Sequence, residues 1–208
     1  MFFPTQNYVF NAQFFPEKVL QTIHQSIDKY ENITIIGAPI MFLELVTYMD
    51  QNNLKIPDSR KLYFITAGGW KRFSGQPISR EAFKKRIKTA FDNTNDSQIR
   101  DILNMVELNN IIPECECHVK HVIPWMGIQI VNPMTMKPCK DGHEGLLAFY
   151  DPSTTSYPCF ILTDDIGRII KRDNCECGRK GIGIEYLRRV RKSDIRGCAL
   201  KIEAQYIG

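Results

Sequence analysis

The first half of the chain alternates between helical and strand-like spacings of apolar residues. Residues 16–30 repeat apolar side chains at helical intervals, and Pro16 suits the first turn of a helix. Residues 32–36 form a short β-branched run that ends at a glycine, and residues 39–52 return to helical spacing. This order predicts an amphipathic helix, then a strand, a turn and a second helix.

A second strand and helix follow. Residues 61–66 form another apolar run, and Gly68 and Gly69 come after it as a turn. Residues 79–91 show a helical pattern that Ser79 can cap. Two such units in succession predict an α/β fold, with helices packed on a parallel or mixed sheet.

The pattern changes after about residue 110. Short apolar runs are now separated by Asn, Pro, Asp and Gly, which is typical of strands joined by turns. The runs cover residues 127–131, 145–150, 159–162 and 168–171. We therefore predict a β-rich subdomain after the α/β part.

The predicted organisation has three parts. Residues 1–110 form the α/β part, residues 111–187 form the β-rich part, and residues 188–208 form a basic segment that contains a cysteine.

Composition excludes several classes of protein. The 208 residues are 43% hydrophobic and 24% charged, as in ordinary soluble domains. No apolar stretch approaches the roughly 18 residues of a membrane span, and the amino terminus does not resemble a secretory signal. We therefore expect a cytoplasmic protein without a membrane partner. A net charge of +4, with dispersed basic runs, also disfavours nucleic acid as the partner.

Seven cysteines without an export signal favour metal or thiol chemistry over disulfides. The potential ligands form two groups, and thiolates with imidazoles are what tetrahedral zinc requires. We predict a structural zinc site, and the alternative is a set of free buried thiols. The candidate ligands are Cys115, Cys117, His118, His121, Cys175 and Cys177.

Three segments have residues suited to binding a nucleotide. Paired glycines at Gly68 and Gly69 would let the backbone approach a ring or a phosphate, although a plain turn is the alternative. Glu107 could hold Mg²⁺, which prefers oxygen ligands, or could be an ordinary surface residue. Asp165 follows a strand in a predicted turn, where its carboxylate could accept both hydroxyls of a ribose; a simple hairpin is the alternative.

Cys198 is the candidate nucleophile. It follows a basic stretch that includes Arg188, Arg189 and Arg196, and neighbouring positive charge favours the reactive thiolate. A thiolate close to an activated acid would form an acyl thioester. The alternative is a small buried hydrophobic residue.

Taken in order, these segments resemble the acyl-protein synthetase family. The ordered set is Gly-Trp-Lys, Met-Val-Glu, Glu-Cys-Glu with a later histidine, Thr-Asp-Asp-x-Gly, Cys-x-Cys-Gly-Arg and Arg-Gly-Cys-Ala. That family supplies fatty acid to the bacterial luciferase system and is related to phenylacetate-coenzyme A ligases. The resemblance spans about residues 30 to 205 and implies the adenylate-forming enzyme fold.

The resemblance implies roles for individual residues in nucleotide binding. Gly68, Gly69 and Trp70 match a turn that packs on adenine. Asn104 and Glu107 match a motif whose glutamate serves Mg²⁺, and Asp165 matches an aspartate that binds ribose. Arg189 matches the arginine of a hinge motif and would offset charge on the phosphate.

The resemblance also implies a metal centre and an acyl acceptor. The metal ligands would be Cys115, His121, Cys175 and Cys177, with Cys117 and His118 as alternates. Cys198 matches the cysteine that receives the acyl group.

The implied activity is activation of a fatty or aromatic acid by ATP, with transfer of the acyl group to a protein thiol. ATP or AMP, Mg²⁺ and Zn²⁺ are the implied cofactors, and an acyl-accepting or reductase protein is the implied partner. The alternatives are a coenzyme A ligase of the phenylacetate type and a non-catalytic, zinc-stabilised interaction module. The phosphate loop of the family has no counterpart in residues 1–30, so we expect the carboxyl-terminal half of such an enzyme.

Overall fold

The computed structural model describes residues 9–10, 13–68, 72–73, 76–155 and 158–190. These residues form two compact units, of which the first ends at Ile99 and the second begins at Arg100. The three-part organisation proposed from the sequence stays a prediction.

The first unit is built on the parallel pair β3 and β4, which runs in register from Ile33 opposite Leu62 to Gly37 opposite Thr66. None of its described helices has the length and apolar content that a bilayer span needs. In chain order the elements are β1 Val9–Phe10, β2 Gln13–Phe14, α1 Pro16–Ser26, β3 Ile33–Gly37, α2 Pro39–Gln51, β4 Leu62–Ala67, β5 Arg72–Phe73, β6 Gln76–Pro77, α3 Arg80–Ala90 and a 3₁₀ turn at Asp96–Gln98.

The helix starts agree with the sequence signals. Pro16 and Pro39 occupy the first turns of α1 and α2, where a missing backbone N–H leaves no hydrogen bond unmade. The Ser79 hydroxyl accepts a hydrogen bond from the Ala82 N–H at 3.1 Å and caps α3. Helix α1 ends at Ser26, short of the predicted residue 30, because the chain enters a turn there.

A cluster of phenylalanines fills the core of the first unit. Phe42, Phe64, Phe83 and Phe91 are all buried, and their rings meet edge to face. The Phe64 and Phe91 ring centroids lie 4.8 Å apart, a favourable aromatic separation. This packing fixes strand β4 against helices α2 and α3, and so sets the position of the glycine turn that follows β4.

The second unit is built on a five-stranded antiparallel sheet with the order β10-β11-β12-β13-β9. A short antiparallel pair, β7 with β8, accompanies the sheet. The strands are β7 Ile99–Leu103, β8 Ile112–Pro113, β9 Lys120–His121, β10 Gly127–Val131, β11 Gly145–Tyr150, β12 Phe160–Arg172 and β13 Ile182–Arg189. The predicted β-rich part is therefore confirmed, and β10 and β11 have the predicted bounds.

The predicted turn at Asp164 and Asp165 is wrong, because β12 is one continuous strand where the sequence indicated two. Ile166 and Gly167 pair with both neighbouring strands, and Asp165 pairs with Arg189 on the β13 side. Irregular pairing interrupts the register beside Ile166, and three consecutive residues are buried there instead of alternating. Ladder pairing on both edges outweighs the local turn preference of Asp and Gly.

Gly167 allows β12 to approach its neighbours closely. A Cβ added at this position would lie 2.6 Å from the Glu185 carbonyl oxygen and 2.7 Å from Leu147 Cδ2. One of those contacts is with backbone, which cannot rotate away. The glycine that suggested a turn is therefore a packing requirement inside the sheet.

We expect Gly167→Ala to destabilise the protein by about 1–3 kcal/mol, because the added methyl group must displace the β13 backbone. Gly37→Ala is the control, since a Cβ at Gly37 meets nothing nearer than 3.7 Å. Urea denaturation followed by circular dichroism measures both variants. Equal losses of stability in the two variants would contradict this account of Gly167.

Candidate functional site

Asp165 is the centre of a polar group in the second unit. The residue is buried, and its Oδ1 lies 3.5 Å from Nε of its cross-strand partner Arg189. The Tyr186 side chain also interacts with this carboxyl group and lowers its pKa. Two side chains of β13 therefore hold the Asp165 carboxylate in place.

Some neighbours of Asp165 raise the pKa of its carboxyl group, and others lower it. Burial raises the pKa of the Asp165 carboxyl group, and the charges of Asp164 and Glu107 act in the same direction, against Arg189 and Tyr186. Burial also raises the pKa of Tyr186 to about 12. Among the predicted nucleotide-site residues, Asp165 and Arg189 are therefore in direct contact.

Glu107 lies on a tight turn directly after β7. The Leu108 N–H donates to the Met105 carbonyl oxygen at 3.2 Å and closes the turn. Leu108 is buried in the core, whereas Glu107 and Asn104 are exposed. Leu108 therefore anchors the turn in the core, while the Glu107 carboxylate stays accessible to solvent. An accessible carboxylate suits Mg²⁺, which keeps several of its waters when it binds.

The predicted adenine turn belongs to the first unit. Gly68 follows β4 with a φ of +94°, and within the described part of the chain no atom beyond its chain neighbours lies within 4 Å of where its Cβ would be. This conformation favours glycine and leaves one face of the backbone open. Gly69, Trp70 and Cys198 lie outside the described residues.

A compact cluster of potential metal ligands is formed by Cys115, His121, Cys175 and Cys177, whose ligand atoms all lie within 4.8 Å of one another. Sγ of Cys115 is 3.8 Å from Sγ of Cys175, and Sγ of Cys177 is 3.4 Å from Nε2 of His121. Zinc bonds of about 2.3 Å to sulfur and 2.0 Å to nitrogen give tetrahedral edges of roughly 3.8 and 3.5 Å. The donor set therefore fits a four-coordinate metal.

Two similar turns supply the thiols. The His118 N–H donates to the Cys115 carbonyl at 3.0 Å, and the Gly178 N–H donates to the Cys175 carbonyl at 2.9 Å. The fourth residue of each turn is left-handed, with φ of +60° at His118 and +78° at Gly178. The repeated Cys-Glu-Cys spacing thus has a structural basis, although it is shorter than the usual two-residue spacing.

Protonation in the cluster is consistent with metal binding. Burial lowers the pKa of His121 and so favours the neutral imidazole, which is the form that binds metals. Burial raises the pKa of Cys175 to about 12, so a bound cation would be needed to hold that thiol as thiolate. For Cys177, burial is outweighed by hydrogen bonds, first among them the Arg179 backbone N–H, and the pKa is lowered.

The alternates named from the sequence are not among the four grouped ligands. Nδ1 of His118 lies 3.1 Å from Oε1 of Glu114, so this ring faces a carboxylate. Cys117 packs against the cluster, and its sulfur is outside the group of four.

A buried ionic network adjoins the metal cluster, and the sequence did not indicate it. Nζ of Lys120 lies 2.9 Å from Oδ2 of Asp101, and the Asp101 N–H donates to Oε2 of Glu114 at 2.7 Å. The Glu114 side chain is completely buried. Glu114 precedes Cys115 and Lys120 precedes His121 in the chain, so the network fixes the backbone at two ligands.

Tyr186 was also missed. It lies in an apolar run that reads as an ordinary strand, and its pairing opposite Gly167 is a property of the folded sheet. The available signal was its position three residues before Arg189.

Solved structures define the class of protein to which this fold belongs. MatB from Rhodopseudomonas palustris, solved with ATP bound, matches 86% of this chain and 34% of its own, with a TM-score of 0.59 at 16% identity. A long-chain-fatty-acid-CoA ligase from Archaeoglobus fulgidus matches 93% of this chain and 39% of its own, with a TM-score of 0.56 at 15% identity. The fold is that of the adenylate-forming enzymes.

Within that class the family can be stated. Residues 2–207 match the family described as "Acyl-protein synthetase, LuxE", and the chain belongs to this family. The "Long-chain-fatty-acid--luciferin-component ligase" of Aliivibrio fischeri is 35% identical over 97% of this chain. The protein of the same name from Vibrio harveyi is 33% identical over 99% of this chain. The chain spans about half the length of these relatives, 53% and 54% respectively.

Proposed function

We propose that the chain is part of an enzyme that uses ATP to activate a long-chain fatty acid and transfers the acyl group to a protein thiol. The observation that carries the proposal is the pair of buried Asp165 and cross-strand Arg189 in a member of the acyl-protein synthetase family. The names of the relatives favour a long-chain fatty acid over an aromatic acid. The proposed location is the cytoplasm.

Two chemical steps make up the proposed reaction. An oxygen of the fatty acid carboxylate attacks the α-phosphorus of ATP, and pyrophosphate leaves. The Cys198 thiolate then attacks the acyl carbon, a thioester forms, and AMP leaves. A protein that accepts or reduces the acyl group is the proposed partner.

The described residues have separate roles in this scheme. Asp165 accepts hydrogen bonds from the two ribose hydroxyls, and the Tyr186 and Arg189 side chains keep it oriented. Arg189 also offsets negative charge on the phosphate. Glu107 would hold Mg²⁺, which neutralises phosphate charge when bound. Gly68, Gly69 and Trp70 in the first unit, and Asn104 in the second, stay separate sequence predictions for contacts with the adenine.

Zinc is the metal we propose for the four-ligand cluster. Three sulfur donors and one nitrogen donor at tetrahedral separations suit Zn²⁺ better than Mg²⁺, which prefers oxygen. With four protein ligands no position is open to substrate, so the role would be structural. Nδ1 of His121 is buried without a hydrogen-bond partner among the described atoms, which leaves its proton in place when Nε2 binds the metal.

Coenzyme A as the acyl acceptor is the second candidate. It is favoured by the similarity to the Archaeoglobus fulgidus coenzyme A ligase fold. In that reaction Cys198 has no chemical role, and the coenzyme A thiol takes its place.

We expect the proposed nucleotide site to bind a fatty acyl-sulfamoyl adenosine, which is a non-hydrolysable analogue of the acyl-adenylate. Asp165→Asn should weaken this binding about ten- to a hundredfold, because it removes a charged acceptor of two hydrogen bonds. Asp141→Asn, which alters an exposed carboxylate paired with Arg172, is the matched control. Isothermal titration calorimetry measures both affinities.

The same titration has an expected pH dependence. Only the ionised Asp165 accepts both hydroxyls, and its pKa is raised, so wild-type affinity should fall on acidification at a higher pH than for an ordinary aspartate. Asp165→Asn should lack this fall. Absence of binding by the wild type would favour a non-catalytic, zinc-stabilised interaction module.

We expect the four-ligand cluster to hold one zinc ion per chain in protein purified without chelators. His121→Ala and Cys175→Ser should each lose the zinc, because three ligands bind it far more weakly than four. Cys139→Ser is the control, since Cys139 is outside the cluster. Elemental analysis by mass spectrometry measures the content, and zinc retained by the two ligand variants would overturn the assignment.

We expect Cys198 to become acylated when synthetic fatty acyl-AMP is supplied. Supplying this intermediate bypasses the ATP-dependent step. The wild type should form an acyl-protein that hydroxylamine cleaves, and Cys198→Ala should form none. Cys159→Ala, at an exposed thiol, is the control and should be acylated normally. Acyl-coenzyme A formation by Cys198→Ala, when coenzyme A is added, would instead support the second candidate.

A further inference from the structure

Asp151 is a buried carboxylate that none of the steps above uses. It follows the last residue of β11, and only 1% of its surface is exposed. Its Oδ2 accepts from the Asn109 N–H at 3.2 Å, and the Asn110 side-chain amide lies 2.9 and 3.0 Å from its two oxygens. Asp151 therefore contacts the segment that carries Glu107.

Ser153 extends this contact. Its N–H and hydroxyl donate to Oδ1 of Asp151 at 3.0 and 2.6 Å. The Asn109 side-chain amide donates to the Ser153 carbonyl at 2.8 Å, and Nδ2 of Asn110 lies 2.7 Å from the Ser153 hydroxyl oxygen. We call these four residues, Asn109, Asn110, Asp151 and Ser153, the Asp151 clasp.

The clasp keeps Asp151 charged through neutral donors. Burial opposes ionisation, but the hydrogen bonds from Ser153 and Asn110 outweigh it, and the pKa of Asp151 is lowered. Charged acceptors form stronger hydrogen bonds than neutral ones, so the clasp is a firm connection between two loops.

The clasp fixes one side of the turn that presents Glu107. The other side is held by β7, where Leu103 pairs with Ile112. Glu107 is two residues before Asn109, and between them Leu108 is buried in the core. Glu107 is thus an exposed side chain on a turn whose two ends are both anchored.

We propose that Asp151 is a positioning residue for Glu107. It holds the turn that presents the Glu107 carboxylate, so that this carboxylate can meet the Mg²⁺ of a bound nucleotide. The inference rests on the proposed function, because it assigns the clasp to the nucleotide site. A purely structural loop anchor would stabilise the second unit without affecting the response to Mg²⁺.

The experiment uses the full chain and three variants. Asp151→Asn leaves the shape of the side chain but places an amide against the Asn110 amide. The double variant Asp151→Asn with Asn110→Asp exchanges donor and acceptor and restores the pairing at the same net charge. Ile169→Val, in the same core, controls for a modest loss of stability.

Two measurements separate positioning from stability. Amide hydrogen exchange reports whether Asn109, whose N–H donates to Asp151, has been released. Titration calorimetry with ATP at increasing Mg²⁺ gives the Mg²⁺ concentration for half-maximal binding. Titration with the acyl-sulfamoyl adenosine, which lacks the β- and γ-phosphates, reports the contacts with the adenosine, sulfamate and acyl groups.

In Asp151→Asn we expect faster exchange at Asn109 and roughly a tenfold higher Mg²⁺ requirement, as is usual when a group supporting a metal ligand is lost. Binding of the acyl-sulfamoyl adenosine should change less than about twofold, since Asp165 is untouched. The double variant should recover both properties, and Ile169→Val should match the wild type.

Two results would overturn the proposal. One is an unchanged Mg²⁺ requirement in Asp151→Asn despite faster exchange at Asn109, which would make the clasp a loop anchor only. The other is an equal loss in Ile169→Val, which would assign the effect to stability. A wild type that binds neither ligand would overturn the proposed function itself, and the positioning role with it.

Discussion

The pairing of β12 with β13 is the constraint on which the candidate site depends. The two strands run antiparallel, and irregular register beside Ile166 places Asp165 opposite Arg189 while burying its carboxylate. A buried carboxylate with a raised pKa is unfavourable unless its neighbours hold it, and Arg189 and Tyr186 do so. The sheet thus contains a buried carboxylate with a raised pKa, in the same unit as the accessible Glu107. Such perturbed groups are typical of functional sites.

The metal cluster and its ionic network stabilise a region with few large apolar side chains. Cys115 and Cys175 are separated by 60 positions in sequence, yet their sulfur atoms are in contact. Lys120, Asp101 and Glu114 form buried charge pairs beside them. Removing a single member of such a network leaves an unpaired buried charge, which is strongly destabilising.

Periodicity predicted the first unit well, because its helices and strands alternate with clear apolar spacing and with capping signals such as Ser79. The ordered motifs also indicated the family, and the resemblance, more than the spacing, singled out Cys115, His121, Cys175 and Cys177 among the six candidate ligands. The turn at Asp164 and Asp165 was wrong because local propensity does not register pairing on both edges of a strand. Asp151 escaped notice for a related reason, since two of its donor residues, Asn109 and Asn110, lie about forty positions earlier and only the fold brings them near.

The position of the second thiol turn within the hairpin has a consequence for how the sheet forms. Residues 175–178 lie in the connection between β12 and β13, the strands that carry Asp165 and Arg189. A slip of one residue in this hairpin would rotate every side chain of a strand to the opposite face. A cation held by Cys175 and Cys177 would therefore favour the strand alignment that the structure shows.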